Sequence, residues 1–367
     1  MNPLERYQAC LHFEPMDRPP LHEWGPWEST VRRWMKETGK DRSSVLAWQE
    51  EKDPFKLLVP DFSMHPAFDE SVITEDESTI TKLNSMGLIY REFKENPETS
   101  MPEFLDWPVK TPEDWQRIKE RFNPDSPERW GEQWQNRLKA CAINDVPVRL
   151  YGIVAGYYGG PSLFGFVRML MGDERALYAF YDEPEMVHDM METITDFSIA
   201  MIRRCLEDAK VVDVQFWEDM CYKNGPLISP SLFEEFMVPR YQRITTMIRD
   251  TGVNTIFVDS DGDVKELIPL WLKSGINGVF PMEQAAGNDV SEYRSEYGSS
   301  LVMTGGIDKR CLANGRKAID AELELRIPLA FEGGYIPTLD HAIPPDVSYD
   351  NFMYYWEKKK ELLGIKI

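Results

Sequence analysis

The sequence predicts an α/β protein, a closed (β/α)8 barrel with an elaborated N-terminal region. Three observations lead there. From residue 146 onward, short apolar runs alternate with longer helical patterns, the pattern of repeated strand–helix units. Those runs do not alternate polar with apolar, as strands of a parallel sheet covered on both faces should not. The phosphate-binding GxGxxG turn is missing after every strand; Gly159-Gly160, Gly305-Gly306 and Gly333-Gly334 do not match it, which sets an open doubly wound sheet behind a barrel. Because such barrels run to about 250 residues or more as one unit, all 367 residues are read as one domain, with 40–145 as a lid or insertion.

The elements follow in order. A first helix spans 3–12: Asn2 caps it, Pro3 suits its first turn, and Leu4, Tyr7, Ala9 and Leu11 give it an apolar face. Asp17-Arg18-Pro19-Pro20 ends that unit and leads into an extended segment, 21–24. The stretch 28–145 mixes helices at 31–38, 112–122 and 127–142 with a hairpin of 78–82 and 87–93, turned by Asn84, Ser85 and Gly87. Strand 146–154 precedes helix 162–171 and a helical region, 176–207, whose main part opens at Pro184. Strand–helix units follow at 211–216 with 230–251, 255–258 with 264–274, 278–281 with 290–297 and 301–304 with 316–327. A strand at 329–331 and a helix at 349–363 complete the pattern.

Composition narrows the function. The formal net charge is −21, so the surface repels nucleic-acid phosphates and anionic membranes alike. No run of 18 apolar residues occurs, and the N-terminus has no apolar core of a signal peptide. Cys10, Cys141, Cys205, Cys221 and Cys311 form no CxxC pair, so they read as free thiols of a cytoplasmic protein. Neither a Walker A loop nor a GxSxG elbow is present.

A parallel barrel places its active site at the C-terminal ends of its strands, and here those ends carry carboxylates. Trp217-Glu218-Asp219 ends one strand, Asp259-Ser260-Asp261-Gly262-Asp263 follows the next, and Glu283 follows a third. Asp308-Lys309-Arg310 and Asp340-His341 come after the last two. Asp219 and Asp261 equally suit helix caps, and Asp263 suits a cap better than a site. Asp259 directly follows an apolar strand, and His341 sits in a Pro-rich loop rather than on an apolar helix face. His22 follows the first extended segment. Trp24, Trp27, Tyr151, Tyr157, Tyr158 and Trp217 are either core or the wall of a pocket for a flat apolar substrate. Several carboxylates beside one histidine either bind a metal or share protons.

The stretches NPLERYQACLHFEPMDRPP, GPLISPSLFEEFMVPRYQRI, GGIDKRCL and GGYIPTLDHAIPPDVSYDNF together resemble the uroporphyrinogen decarboxylase superfamily, over nearly the whole chain. The resemblance implies a (β/α)8 barrel with one of two chemistries: cofactor-free decarboxylation in heme synthesis, or cobalamin-linked methyl transfer that uses zinc. The decarboxylase relies on arginines just after the first strand, in a pattern like MRQAGR. Here the stretch reads HEWGPWEST, with Glu23 and Glu28 and no arginine, and an acidic mouth repels a polyanion. In the methyltransferase branch, zinc is held by a His-x-Cys-Gly element, which falls on Asp259-Ser260-Asp261-Gly262, and by a later Cys, which falls near Asp340 or His341. Oxygen and nitrogen thus replace soft thiolates, which suits a Lewis acid acting on an ether or hydroxyl oxygen better than thiol activation.

The expectation is a methyltransferase-like enzyme moving a methyl group from a small methylated, for example methoxylated, substrate to a corrinoid carried by a partner protein. Asp259, Asp261 and His341 are the expected ligands of zinc or another divalent metal. Glu218, Asp219 and Glu283 are expected as general acid/base groups, and Lys309 as the group that steadies a developing anion. His22, Trp24, Tyr151, Tyr157, Trp217, Asp308 and Asp340 are expected around the substrate. A homodimer is expected by analogy. The rivals are a decarboxylase of a less anionic substrate, a non-catalytic barrel for a sugar or tetrapyrrole, and a two-carboxylate glycosidase.

Overall fold

The computed structural model describes the chain except residues 96–101, 155–156, 159–160 and 366–367, and the side chains of 153–160. Seven strands form one sheet in which chain order and spatial order coincide. They are Lys56–Leu58 (β1), Val148–Tyr151 (β2), Asp213–Trp217 (β3), Thr255–Asp259 (β4), Gly278–Met282 (β5), Val302–Ile307 (β6) and Tyr335–Leu339 (β7), all paired in parallel. β2, β6 and β7 are buried at every residue, as a sheet covered on both faces requires. Between the strands the chain returns through helices. Pro184–Asp208 packs against Val238–Asp250, and Arg316–Ala330 against Tyr349–Leu362. The register sets Asp259 beside Trp217 and Gln215 beside Tyr151, so β3 and β4 end at one level and the β2 ladder stops two residues earlier.

Among the described residues the sheet has seven strands, not the expected eight. The 21–24 segment lies at the gap without joining a ladder. Leu21 N–H donates to Asp53 Oδ2 at 2.8 Å, and Asp53 N–H donates to Leu21 O at 3.0 Å. Leu339 N–H donates to Glu23 Oε1 at 2.9 Å. Pro19, Pro20 and Pro26 flank the segment and lack the donors a ladder needs, so side-chain carboxylates take the place of strand carbonyls.

Other expectations shift for identifiable reasons. The first sheet strand, β1, lies inside 40–145; three residues between Pro54 and Pro60 are too few to show a period. The expected hairpin is part of a four-stranded antiparallel sheet that also includes Ser71–Glu75 and Glu103–Asp106. The 127–142 helix is a 3-10 turn, Pro127–Trp130, and a helix, Glu132–Cys141, parted at Gly131. The strand expected at 146–154 is shorter, and Ile153–Val154 pairs instead with Tyr157–Tyr158. The helix of 230–251 breaks at Met237, and that of 264–274 keeps only Ile268–Lys273. The strand placed at 329–331 is wrong: Arg316–Ala330 stays helical through Pro328. Burial of Ile327 and Ala330 offsets the hydrogen bond that proline removes. Gly333 and Gly334 then turn with positive φ into β7.

Gly262 brings the loop after β4 against the Cys221 carbonyl. Its φ is +83°, and a Cβ there falls 2.6 Å from Cys221 O. Gly262→Ala is therefore expected to lose roughly 1–3 kcal/mol of stability, measured as a shifted denaturant midpoint with an unchanged slope.

Candidate functional site

The C-terminal ends of the strands open into a cavity of about 500 Å³. Four rings stack along one wall: Phe280 on Trp24 at 4.8 Å, Trp24 on His341 at 5.6 Å and His341 on Trp27 at 6.1 Å between centroids. Tyr151, Trp217 and Phe55 contribute further aromatic surface, and Asp219, Asp259 and Asp261 supply carboxylates.

Beneath the floor lies a buried polar network from the first helix and three strands. Arg149 Nε donates to Asp213 Oδ1, Nη1 to Gln215 Oε1 and Nη2 to the Tyr7 hydroxyl, which donates in turn to Asp213 Oδ2 at 2.8 Å. With its oxygen committed to Arg149, Gln215 must present its NH2 to Asp259 Oδ2, 3.2 Å away. Burial, reinforced by Asp261 and Asp219, pushes Asp259 well above the usual carboxylate range. Asp261 Oδ2 lies 3.6 Å from His341 Nε2, a contact that raises His341 above its ordinary value. Asp219, at φ +42°, is held by Arg168, which donates to both its carboxylate (2.9 Å) and its carbonyl (2.8 Å). Burial keeps His22 neutral, pushed down to about 3.

The wall itself is fixed from outside. Glu23 accepts from Lys359 Nζ at 2.7 Å, from the Tyr355 hydroxyl, and from the Trp24 and Leu339 amides at 2.9 Å each. Lys359 also donates to His22 O at 2.7 Å. The last helix thus sets both neighbours of Glu23 that face the cavity, His22 and Trp24.

Of the residues expected at the site, His22, Trp24, Tyr151, Trp217, Asp219, Asp259, Asp261 and His341 line this cavity. Glu218 does not: it is fully buried and anchors the helix Phe164–Met171, accepting from Leu163 N, Gly165 N, the Ser162 hydroxyl and Tyr241. Burial raises its carboxyl despite those donors. Glu283, Lys309 and Asp340 tie loops together outside the lining. Glu283 accepts from Gly262 N at 2.9 Å, and Asp340 accepts from Gln284 N and Lys309 N. Lys309 Nζ lies 3.4 Å from Glu283 and 3.6 Å from Asp340. Asp308 pairs with its neighbour Arg310. The Tyr157 side chain lies outside the described residues. Sequence reasoning missed Tyr7, Arg149, Asp213, Gln215 and Thr304. The available signal was a charged or polar residue inside an otherwise apolar strand, which Arg149, Asp213 and Gln215 each provide.

The expected metal ligands do not converge. Among the described residues no three His, Cys, Asp or Glu side chains stand close enough to share an ion. Asp259 is turned to Gln215, while Asp261 and His341 pair with each other. The five cysteines are buried, and none lines the cavity. This donor set does not fit a resident zinc, which takes three or four ligands about 2.0–2.3 Å from the metal.

Comparison with known proteins bears on this geometry. The family model described as "Uroporphyrinogen decarboxylase (URO-D)" matches residues 69–362. Uroporphyrinogen decarboxylase of Crocosphaera subtropica is 23% identical over 360 residues, 95% of this chain and 93% of that protein. The Nocardia farcinica uroporphyrinogen decarboxylase is 27% identical over 222 residues, 57% of this chain and 58% of that one. Among solved structures, a methyltransferase from Methanosarcina mazei superposes with a TM-score of 0.63 at 14% identity, covering 98% of this chain and 99% of the other. That likeness is one of fold.

Two outcomes follow. Removing one partner of a buried ion pair typically costs about 3–5 kcal/mol, so Lys359→Met should lower the unfolding free energy by that order in urea denaturation. Protein purified without chelator should hold less than stoichiometric zinc by mass spectrometry; one equivalent, lost in both Asp259→Ala and His341→Ala, would overturn the ligand geometry above.

Proposed function

The chain belongs to the uroporphyrinogen decarboxylase family, and on that premise we propose that it is a methyl-transfer enzyme acting on a small methylated substrate bound in the strand-end cavity. In this reading the 21–24 segment takes the eighth position and completes a (β/α)8 barrel. The acceptor is a second substrate, the reduced corrinoid of a partner protein, which supplies the nucleophile for the methyl carbon. One observation carries the proposal: a buried carboxyl, Asp259, with the uncharged Gln215 amide as its direct partner and pushed by burial well above the usual carboxylate range, beside an aromatic-walled cavity that among the described residues offers a polyanion no cation outside an ion pair.

The residues of the chain then have defined tasks. Trp217, Tyr151 and Trp24 bind the flat body of a methyl ether. When the carbon–oxygen bond breaks, its electron pair goes to oxygen, and a poor leaving group becomes a neutral alcohol or phenol if a proton arrives there. Asp259 supplies that proton. Because Gln215 NH2 donates to Oδ2, the carboxyl proton belongs on Oδ1, the oxygen left for the substrate. His341, paired with Asp261, returns a proton to Asp259 between turnovers.

A second reading uses the same acid. Decarboxylation leaves a carbanion that must be protonated, and the relatives named as decarboxylases favour it. The substrate would then be less anionic than uroporphyrinogen.

The test is anaerobic incubation with reduced corrinoid and a panel of methoxylated compounds, followed by the absorbance of the alkylated corrinoid. Asp259→Asn should slow transfer by about 10²- to 10⁴-fold, the usual contribution of a general acid. The acid form is the active one, so the wild-type rate should fall as pH rises through the elevated Asp259 value. Uroporphyrinogen converted to coproporphyrinogen, with no alkylation of the corrinoid, would replace the first reading with the second.

A further inference from the structure

The charge around the cavity narrows its ligand. Four carboxylates line it, Glu23, Asp219, Asp259 and Asp261, against one arginine or lysine, Arg149. Arg149 is neutralised by Asp213, and its nitrogens donate to Asp213, Gln215 and Tyr7. His22 is neutral at ordinary pH, and His341 faces Asp261. An anionic ligand therefore meets carboxylates and finds no free counter-charge among the described residues. Glu23 is neutralised by Lys359 and Asp219 by Arg168. Among the described residues the charged partner of Asp261 is His341 at 3.6 Å, and Asp259 has an uncharged amide as its direct partner.

A second, independent observation points to something bound. Thr304 lines the same cavity, is 8% exposed, and its hydroxyl has no hydrogen-bond partner among the described residues. Buried hydroxyls are ordinarily paired, so a ligand is the natural source of the missing partner. Aromatic walls with adjacent carboxylates are also the surroundings in which organic ammonium groups bind well.

We infer that the cavity selects a positively charged substrate: a small aromatic or aliphatic methyl ether that also carries an ammonium group, held against Asp261 and the aromatic wall. The inference rests on the cavity being the substrate site of the proposed methyl transfer and adds the charge of the substrate. It excludes methoxylated carboxylic acids, which have the same methyl group and the wrong sign.

Three methyl ethers of nearly one shape separate the cases: 4-methoxybenzylamine, 4-methoxybenzyl alcohol and 4-methoxybenzoate. Their binding to the full-length protein is read at neutral pH by calorimetry and thermal shift. The amine should bind on the order of 10-fold more tightly than the alcohol, the size of a well-desolvated cation contact, and the benzoate least. Asp261→Asn should erase most of the preference for the amine, read as the ratio of amine to alcohol affinity in the same variant. Equal binding of amine and alcohol, tighter binding of the benzoate, or no binding of any of the three would overturn the inference; the wild-type comparison decides even if the variant is unstable. Because no turnover is read, failure of methyl transfer stays distinct: amine-selective binding with no alkylated corrinoid sinks the function and keeps the charge preference. Transfer from the benzoate in preference to the amine does the reverse.

Discussion

The buried pair of Arg149 and Asp213 is the interaction on which the site depends. Two charges buried beneath the strand ends are costly unless the groups around them are hydrogen-bonded, and here three strands and a helix supply those partners. Arg149 serves Asp213, Gln215 and Tyr7, and its guanidinium lies 4.4 Å from the Phe257 ring. Tyr7 comes from the first helix, Arg149 from β2, Asp213 and Gln215 from β3, and Asp259 at the far end of the chain of contacts from β4. One ion pair thus fixes the relative height of three strands and a helix. It also fixes the orientation of the Gln215 amide, and with it which oxygen of Asp259 that amide meets.

A second buried pair, Glu23 with Lys359, serves the opposite wall. The segment 21–24 cannot make a regular ladder among its prolines, so the last helix reaches in and holds it by Lys359 and Tyr355. Trp24 and His22 then face the cavity from a backbone that side chains have positioned. The two pairs are complementary. The first anchors the acid Asp259; the second anchors the aromatic stack Phe280–Trp24–His341–Trp27. The cavity between them sets a carboxyl that burial pushes above the usual range against a wall suited to flat rings, which is the chemical basis of the methyl-transfer proposal.

Family membership leaves a wide choice of chemistry, and the local residues narrow it. The relatives are named for decarboxylation, and a solved structure with this fold is a methyltransferase. Polyanion recognition needs free cations, which this cavity lacks among its described lining residues. A thiophilic metal centre needs converging soft ligands, which the Asp259, Asp261 and His341 side chains do not provide. The proposed reading is accordingly acid chemistry on a substrate of low or positive charge.

Much of this was legible in the sequence. The regular apolar runs after residue 146 determine parallel strands with helices outside, because a strand buried on both faces must be apolar on both. The rule that strand ends converge was enough to find Asp219, Asp259 and Asp261, and the Pro-rich loop after the last strand pointed to His341. Strand ends alone do not say where a side chain turns. Glu218 and Asp219 are adjacent, yet one is buried under a helix N-terminus and the other faces the cavity. That was decided by Asp219 adopting a positive φ and by Arg168 gripping it. Arg149, Asp213 and Gln215 carried a local signal, a polar residue in an apolar strand, but their mutual pairing spans 64 to 66 positions. Glu23 and Lys359 lie 336 apart. A sequence determines the period of its elements, since that is set by neighbours along the chain. Which buried charges neutralise each other is a property of distances that only the folded chain creates.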